Sequence, residues 1–339
     1  MHRLLRSPGV VAILVGAWLA LTVAGPVFAH GPVPAEPPTI LNLAFGWTLE
    51  PAVLLPLLVA AFAWVRIVRR IDRDHPASPV PRRRSAAFLG GLAVIAVALM
   101  SGIDTYDTTL FSVHMVQHLL LTLVAAPLIA LGAPITTILR AATPNVRQTV
   151  ILPILHSRVL RVVSFPVVAW VVFAAVMWGT HFSPIFDRSL EDPVVHDLEH
   201  ALYLGAALLF WWPAVGLDPS PWRIPHPVRA MYVFLQMPQN TFLAVTILNS
   251  TVPLYAHYAT LVRPWGPSAL MDQQVAGGLM WLFGDLLFLA AIGGIIAGWM
   301  IHEKRQEAAM DRRVDRERAA MRVREVRLAE RLAKEREGR

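Results

Sequence analysis

The chain has 339 residues, of which 55% are hydrophobic and only 16% are charged. Its mean hydropathy is +0.52, whereas a soluble domain carries roughly 25% charged residues, so the composition argues against a soluble protein. The absence of cysteine excludes disulfides, thiolate metal sites and thiol redox chemistry. The net charge of +7 predicts no nucleic-acid partner, because basic residues in a membrane protein first report its orientation.

Residues 1–29 have the order of a secretory signal. A basic start with Arg3 and Arg6 precedes an apolar stretch, and a small-x-small cleavage sequence ends at Ala29. Cleavage there would make His30 the new N-terminus. The alternative is an uncleaved first span, and both interpretations place residue 30 outside the membrane.

Apolar runs follow, each of roughly 18 to 25 residues and so long enough to cross a hydrocarbon core of ~30 Å as a helix. They lack the period-two alternation of barrel strands. The predicted fold class is therefore all-α: a polytopic membrane helix bundle of about seven transmembrane helices after the signal sequence. The expected spans are 48–68, 86–103, 112–132, 164–181, 196–216, 229–250 and 274–300.

These spans predict four regions and one orientation. The signal (1–29) and an outer Pro-rich segment (30–47) precede a membrane domain (48–301), and a charged helical tail (302–339) ends the chain. Alternating the spans from outside puts nearly all arginines in the cytoplasmic segments, as the positive-inside rule requires. We expect a multi-pass plasma-membrane protein with its N-terminus outside and its C-terminus in the cytoplasm. The basic segment 150–163 is too short to span and is expected to be an interfacial or re-entrant cytoplasmic helix.

Two histidine pairs lie at the outer ends of predicted spans. His114 and His118 open the third span, and His196 and His200 open the fifth, with Glu199 beside them. Residues at i and i+4 share a helix face, so each pair has the spacing to bind one ion. An HxxxH pair is equally compatible with two interfacial histidines that hydrogen-bond to loops. Both helices run inward, however, so four imidazoles can meet if the two spans are neighbours.

Further candidates lie at the same outer level. His181 ends the fourth span, while Asp272 and Met280 lie near the start of the last one, where Gly277 and Gly278 would allow another helix to approach closely. Imidazole suits copper, zinc, iron and nickel, and thioether selects Cu(I), so a thiol-free set of His and Met favours copper. The predicted metal ligands are His114, His118, His196, His200, Glu199, Asp272, His181 and Met280. No catalytic residue is predicted.

Three blocks of sequence resemble one known family. They are FSVHMVQHLLLTLVAAPLIALGAP from Phe111, HDLEHALYLGAALLFWWP from His196 and LYAHYATLVRPWGPSALMDQQVAGGLMW from Leu254. In this order they resemble the CtaG-type multi-span cytochrome c oxidase assembly proteins of Gram-positive bacteria. The resemblance implies a role in maturing a haem–copper oxidase by supplying or placing its copper, with oxidase subunits and the lipid bilayer as partners. It also implies functional positions at His114, His118, His196, His200 and Asp272.

The first hypothesis is thus a non-enzymatic assembly factor that binds copper in the outer half of the bundle. A second is a membrane haem protein with redox activity, for which a pair such as His114 and His200 would provide axial ligands. A third is a copper or proton transporter that uses Asn240 and Asp285 near the middle of the last two spans. A mid-membrane carboxylate is costly, so we expect Asp285 to be paired with another helix or protonated.

Overall fold

The computed structural model describes the backbone of residues 33–337 and the side chains of residues 33–325. In that part of the chain every regular element is a helix, which confirms the predicted all-α class. Residues 1–29, predicted to be a signal sequence, and His30 lie outside the described residues.

The helices follow one another with short connections. In chain order they are α1 (Ile40–Phe45), α2 (Pro51–Asp74), α3 (Arg82–Met100), α4 (Gly102–Tyr106), α5 (Phe111–Leu119), π1 (Leu120–Ala125), α6 (Ala126–Gly132), α7 (Pro134–Ala141), α8 (Pro144–Val146), π2 (Arg147–Ile151), α9 (Leu152–Leu155), α10 (Arg158–Val163), α11 (Pro166–His181), α12 (Pro184–Glu191), α13 (Pro193–Val215), α14 (His226–Phe234), α15 (Gln236–Leu248), α16 (Ala256–Thr260) and α17 (Ala269–Glu337). The segments named π have the wider π-helical turn, and α5, π1 and α6 form one continuous helix.

Helices long and apolar enough to cross a membrane are present, which supports a membrane protein. Among the described residues there are four, and a fifth if α11 and α12, which are bent by 71° at their break, count as one span. The four are Pro51–Asp74, Arg82–Tyr106, Phe111–Ala141 and Ala269–Glu325. The expected number of seven is not confirmed. The polar residues at the start of α13, and the break at Leu235 between α14 and α15, fall in the spans predicted fifth and sixth.

Local sequence determines where α13 begins and ends. The Asp192 side chain accepts hydrogen bonds from the backbone N–H groups of Val194 and Val195, and Pro193 occupies the first helical position. At the other end Gly216 adopts a left-handed conformation (φ +58°), which glycine tolerates best. The helix therefore starts three residues before His196, and its first two turns carry both histidines of the second pair.

The continuous helix α5–π1–α6 and helix α13 pack side by side and run parallel. His114 lies beside His196 near their beginnings, and one turn later His118 lies beside His200. Further along, the Trp211 indole donates a hydrogen bond to the Thr122 carbonyl at 2.8 Å. Helix α3 completes the packing with a core that includes Leu92, Ile95, Ala98, Leu121 and Ala125.

The first part of α17 packs against α15 at a small residue. A Cβ at Gly277 would lie 2.8 Å from the backbone nitrogen of Leu248 and 3.0 Å from the carbonyl oxygen of Ala244. At Gly278, in contrast, a Cβ would meet no atom within 4 Å. The close approach predicted from the two glycines is therefore made by Gly277 alone.

The C-terminal unit, residues 292–339, continues the α17 helix as far as Glu337. Its described side chains are almost all exposed, and Arg313 forms an ion pair with Glu317 one turn away (3.0 Å). Exposed pairs of this kind contribute about 0.3–0.5 kcal/mol.

Replacing Gly277 by alanine should destabilise the protein. The added methyl group has to displace backbone atoms of α15, and overpacking of this kind costs about 1–3 kcal/mol. Gly278→Ala is the matched control, since alanine favours a helix by up to about 1 kcal/mol over glycine and has open space there. Thermal unfolding in detergent should show a lower midpoint for Gly277→Ala alone, and equal midpoints for the two variants would contradict the packing.

Candidate metal centre

Five buried histidines from three helices come together at one end of the helix bundle. Helix α5 contributes His114 and His118, α13 contributes His196 and His200, and α11 ends on His181. Each of them is at most 6% exposed. We refer to these five residues as the histidine cluster.

The imidazole rings of the histidine cluster are in mutual contact. The ring centroids lie 4.2 Å apart for His114 and His118 and 4.3 Å apart for His196 and His200. Between the two helices, His114 and His196 are 5.4 Å apart and His118 and His200 are 5.8 Å apart. His181 lies 6.3 Å from His118. The two HxxxH faces thus meet at the same level, as parallel neighbouring helices require.

Two buried carboxylates complete possible ligand sets. One ligand atom each from His114, His118 and Glu199 lie within 4.8 Å of one another, and the same holds for Asp107, His114 and His196. The Asp107 Oδ2 atom is 3.7 Å from His196 Nε2. A four-coordinate ion holds its nitrogen and oxygen ligands at about 2.0–2.2 Å, so small side-chain movements would let either set surround one cation.

Several ring nitrogens in the cluster have no hydrogen-bond partner among the described residues. They are both nitrogens of His114, both nitrogens of His118 and Nε2 of His181. The Ser189 side chain interacts with the nearby Glu199 carboxyl, whose oxygens have no other partner among the described residues. Buried polar groups are almost always hydrogen-bonded to protein or water. A group of unpartnered lone pairs pointing at one another is therefore typical of a site that receives a ligand, and its donor types suit a metal ion.

Hydrogen bonds orient two of the rings. His200 Nε2 donates to Gln117 Oε1 at 3.1 Å, and the Gln117 amide nitrogen in turn donates to the carbonyl of Ala98 at 3.0 Å. His181 Nδ1 donates to the Met177 carbonyl at 2.7 Å. In a neutral ring, the other nitrogen then carries the lone pair, namely Nδ1 of His200 and Nε2 of His181. Metal-binding histidines are commonly held by outer hydrogen bonds of this kind.

The loop residue Asp107 is fully buried beside the cluster. Burial raises the pKa of its carboxyl well above the usual 3.8, and the nearby carboxyl of Asp104 raises it further. A hydrogen bond from the backbone nitrogen of Thr108, at 2.5 Å, opposes these effects. A cation next to Asp107 would favour its ionised form, so this electrostatic environment suits occupation by a metal ion.

Asp272 and Met280, which were also predicted as ligands, lie outside the two carboxylate-containing ligand sets. Asp272 belongs to neither of the two ligand sets. It accepts hydrogen bonds from the backbone nitrogen of Phe111 at 2.7 Å and from the Ser112 hydroxyl at 2.5 Å, and Arg263 lies 3.8 Å away. Asp272 thus holds the N-terminus of α5, the helix that carries His114. Met280 lines a cavity together with His118.

Sequence reasoning left three residues out of the predicted site. Gln117 orients His200, and its position at i+3 from His114 already placed it on the histidine face of α5. Asp107 precedes α5 in a loop, where no periodic pattern could indicate its direction. The Tyr203 ring lies against that of His118, with centroids 4.2 Å apart and the ring planes tilted by 34°. Its position three residues after His200 could have indicated that it shares the histidine face of α13.

The fold and the site define a class: a multi-helix membrane protein with a buried imidazole–carboxylate cluster at one end of its bundle. The chain belongs to the family described as cytochrome c oxidase caa3 assembly factor (Caa3_CtaG), whose sequence profile matches residues 60–302. The matched region contains every predicted ligand, and it confirms the resemblance drawn from the three sequence blocks.

Curated relatives occur in mycobacteria. Uncharacterized proteins of Mycobacterium bovis and Mycobacterium tuberculosis are each 29% identical to this chain over 288 residues. One of Mycobacterium leprae is 27% identical over the same length. The alignments cover 83% of this chain and 43% of each relative, so the chain spans less than half the length of these relatives. No solved structure matches the chain.

Asp272→Asn should weaken the start of α5. The amide has one acceptor oxygen where the carboxylate uses two, and hydrogen bonds to charged groups contribute about 1.5–3 kcal/mol each. We expect a free energy of unfolding lower by about 1–3 kcal/mol, measured by thermal unfolding in detergent. The control is Asp192→Asn at the start of α13, where asparagine caps a helix as well as aspartate does. A loss of the same size in both variants would argue against a special role for Asp272.

Proposed function

We propose that this protein binds copper in the histidine cluster and supplies it to a cytochrome c oxidase during assembly. The observation that carries the proposal is the set of buried imidazole nitrogens without a hydrogen-bond partner among the described residues, with the Glu199 carboxyl beside them. Membership of an oxidase assembly family identifies the process in which such a site would act. Copper is then the cargo of the protein, and the role is not catalytic.

The donor types support copper over the other common metals. The two ligand sets combine imidazoles with one carboxylate each, a combination that suits copper or zinc. Magnesium and calcium require more oxygen ligands. Zinc remains chemically compatible, but a haem–copper oxidase needs copper for its maturation. Two or three protein ligands would leave coordination positions open, which suits an ion that has to be passed on.

The packing of the cluster favours a bare ion over a haem. The ring centroid of Phe186 lies 5.1 Å from that of His114 and 5.4 Å from that of His181, while His118 is 4.2 Å from Tyr203. A porphyrin between His114 and His200 would have to displace these rings. No observation favours a transporter either, because Asp285 accepts hydrogen bonds from Thr241 at 2.7 Å and from Asn240 at 3.3 Å and is thus paired between helices.

The topology proposed for this function has seven spans. Helix α11, helix α13 and the pair α14–α15 supply those beyond the four apolar helices. Helix α13 has 23 residues and at 1.5 Å per residue is about 35 Å long, enough for a core of ~30 Å. With the arginines on the cytoplasmic side, the histidine cluster lies near the outer face of the plasma membrane. A partner subunit of the oxidase would receive copper there.

Copper binding should depend on the HxxxH face of α5. In the double variant His114→Ala/His118→Ala the apparent copper affinity should fall by more than about tenfold, since even the loss of an outer hydrogen-bond partner costs 10–100-fold. The measurement is the copper content of detergent-purified protein after equilibration with buffered copper. His75→Ala, at an exposed position after α2, is the matched control.

Two results would overturn the copper proposal. One is equal copper content in the wild type and the double variant. The other is a Soret band in the purified wild-type protein, which would instead support the haem hypothesis.

The assembly role should be visible in the oxidase itself. We expect that a strain without the gene makes oxidase with less copper per haem, and that added copper partly restores it. Reintroducing the wild-type gene or the His75→Ala variant should restore the copper content, whereas the double histidine variant should not. Normal oxidase copper in the deletion strain would refute delivery, whatever the purified protein binds.

A further inference from the structure

A second group of metal-ligand side chains lies next to the histidine cluster. Three buried methionines, Met115, Met177 and Met280, line a cavity together with His118 and His181. They come from three different helices, α5, α11 and α17, so the packing of the bundle forms the cavity. We refer to this space as the thioether cavity. It has room for a water-sized guest.

The two histidines of the thioether cavity have ring nitrogens that could bind a ligand. Among the described residues, three ring nitrogens have no hydrogen-bond partner: both nitrogens of His118 and Nε2 of His181. His181 is held by the bond from its Nδ1 to the Met177 carbonyl, which leaves Nε2 as the nitrogen with the lone pair. Both side chains are less than 5% exposed. Unpartnered imidazoles at a buried cavity point to a ligand.

The residues that line this cavity differ in charge from the two carboxylate-containing ligand sets. No Asp or Glu is among the residues that line the described cavity. Its other polar residues are the neutral Gln236, Gln239 and Asn240 together with one threonine and one tyrosine. A divalent cation placed here would keep its full charge in an apolar surrounding, which is costly. A monovalent, soft ion avoids most of that cost and matches thioether sulfur.

We infer that the thioether cavity is a binding site for Cu(I), formed by His118, His181 and the methionines Met177, Met280 and Met115. Methionine has three rotatable side-chain bonds, so its sulfur can adjust to an ion at this position. The site shares His118 with the set that contains His114 and Glu199. The inference rests on the proposed function only in taking copper as the cargo, and the ion stays Cu(I) throughout.

The test uses the full chain in detergent without oxygen, and the probe is Cu(I) buffered by a coloured Cu(I) chelator. Met177→Leu/Met280→Leu removes two sulfurs with little change in shape, because leucine and methionine exchange well in protein interiors. Met231→Leu/Met271→Leu, at positions 57% and 58% exposed, is the matched control. We expect a loss of Cu(I) affinity of about tenfold or more in the first variant alone.

X-ray absorption of the Cu(I)-loaded protein provides the direct readout of the ligands. Sulfur neighbours should be present in the wild type and the control and should decrease in Met177→Leu/Met280→Leu, in which Met115 still lines the cavity. His181→Ala is a second variant, which should weaken Cu(I) binding while the sulfur signal remains. Only nitrogen and oxygen neighbours in the wild type, or equal Cu(I) affinity in all variants, would overturn the inference.

The failure of this inference can be told apart from the failure of the proposed function. Glu199→Gln removes a carboxylate from the other ligand set and should leave Cu(I) binding in the thioether cavity intact. Normal oxidase copper in the deletion strain, together with sulfur-ligated Cu(I) in the purified protein, would refute delivery and keep the cavity site. Reduced oxidase copper with no sulfur ligation would keep delivery and refute the cavity site.

Discussion

A membrane interior offers polar side chains no water, so each buried polar group has to be satisfied by the protein or by something the protein binds. This constraint explains most of the polar contacts in the bundle. Trp211 donates to a carbonyl of the parallel helix, Gln273 donates to the Ile247 carbonyl, and Asp285 is paired with Thr241. Unpartnered buried atoms occur elsewhere in the described bundle as well, but those of His114 and His118 lie together with a carboxylate in one possible metal-ligand set, and the copper proposal rests on that combination.

The same constraint explains how the histidine cluster is held. Helices α5 and α13 each carry two imidazoles on one face, and their parallel packing places both faces at one level. Asp272 fixes the start of α5 through its backbone, and the Asp192 cap fixes the start of α13. These two supporting residues therefore act on the helix ends and not on the imidazoles.

The sequence was sufficient for the features that depend on local spacing. The all-α class and the shared face of His114 and His118 follow from helical periodicity, and both are present in the structure. The sequence alone did not predict features that depend on tertiary contacts. No spacing rule distinguishes a carboxylate that binds a metal from one that holds a helix end. The contacts of Asp272 with Phe111 and Ser112 show the second role, and metal binding by Asp272 stays a prediction. Asp107 was missed because the direction of a loop side chain depends on contacts far along the chain.

The arrangement of donors also bears on how copper would move. An ion bound by His114, His118 and Glu199 would be only one imidazole away from the thioether cavity, because His118 belongs to both sets. The ion stays Cu(I) in both places: one set would hold it by imidazoles and a carboxylate, the other by neutral nitrogen and sulfur donors, which match Cu(I) better. A ligand common to both allows a new bond to form before the last old one breaks. Such stepwise exchange avoids releasing a bare ion inside the bundle, where the cost of an uncoordinated charge is highest.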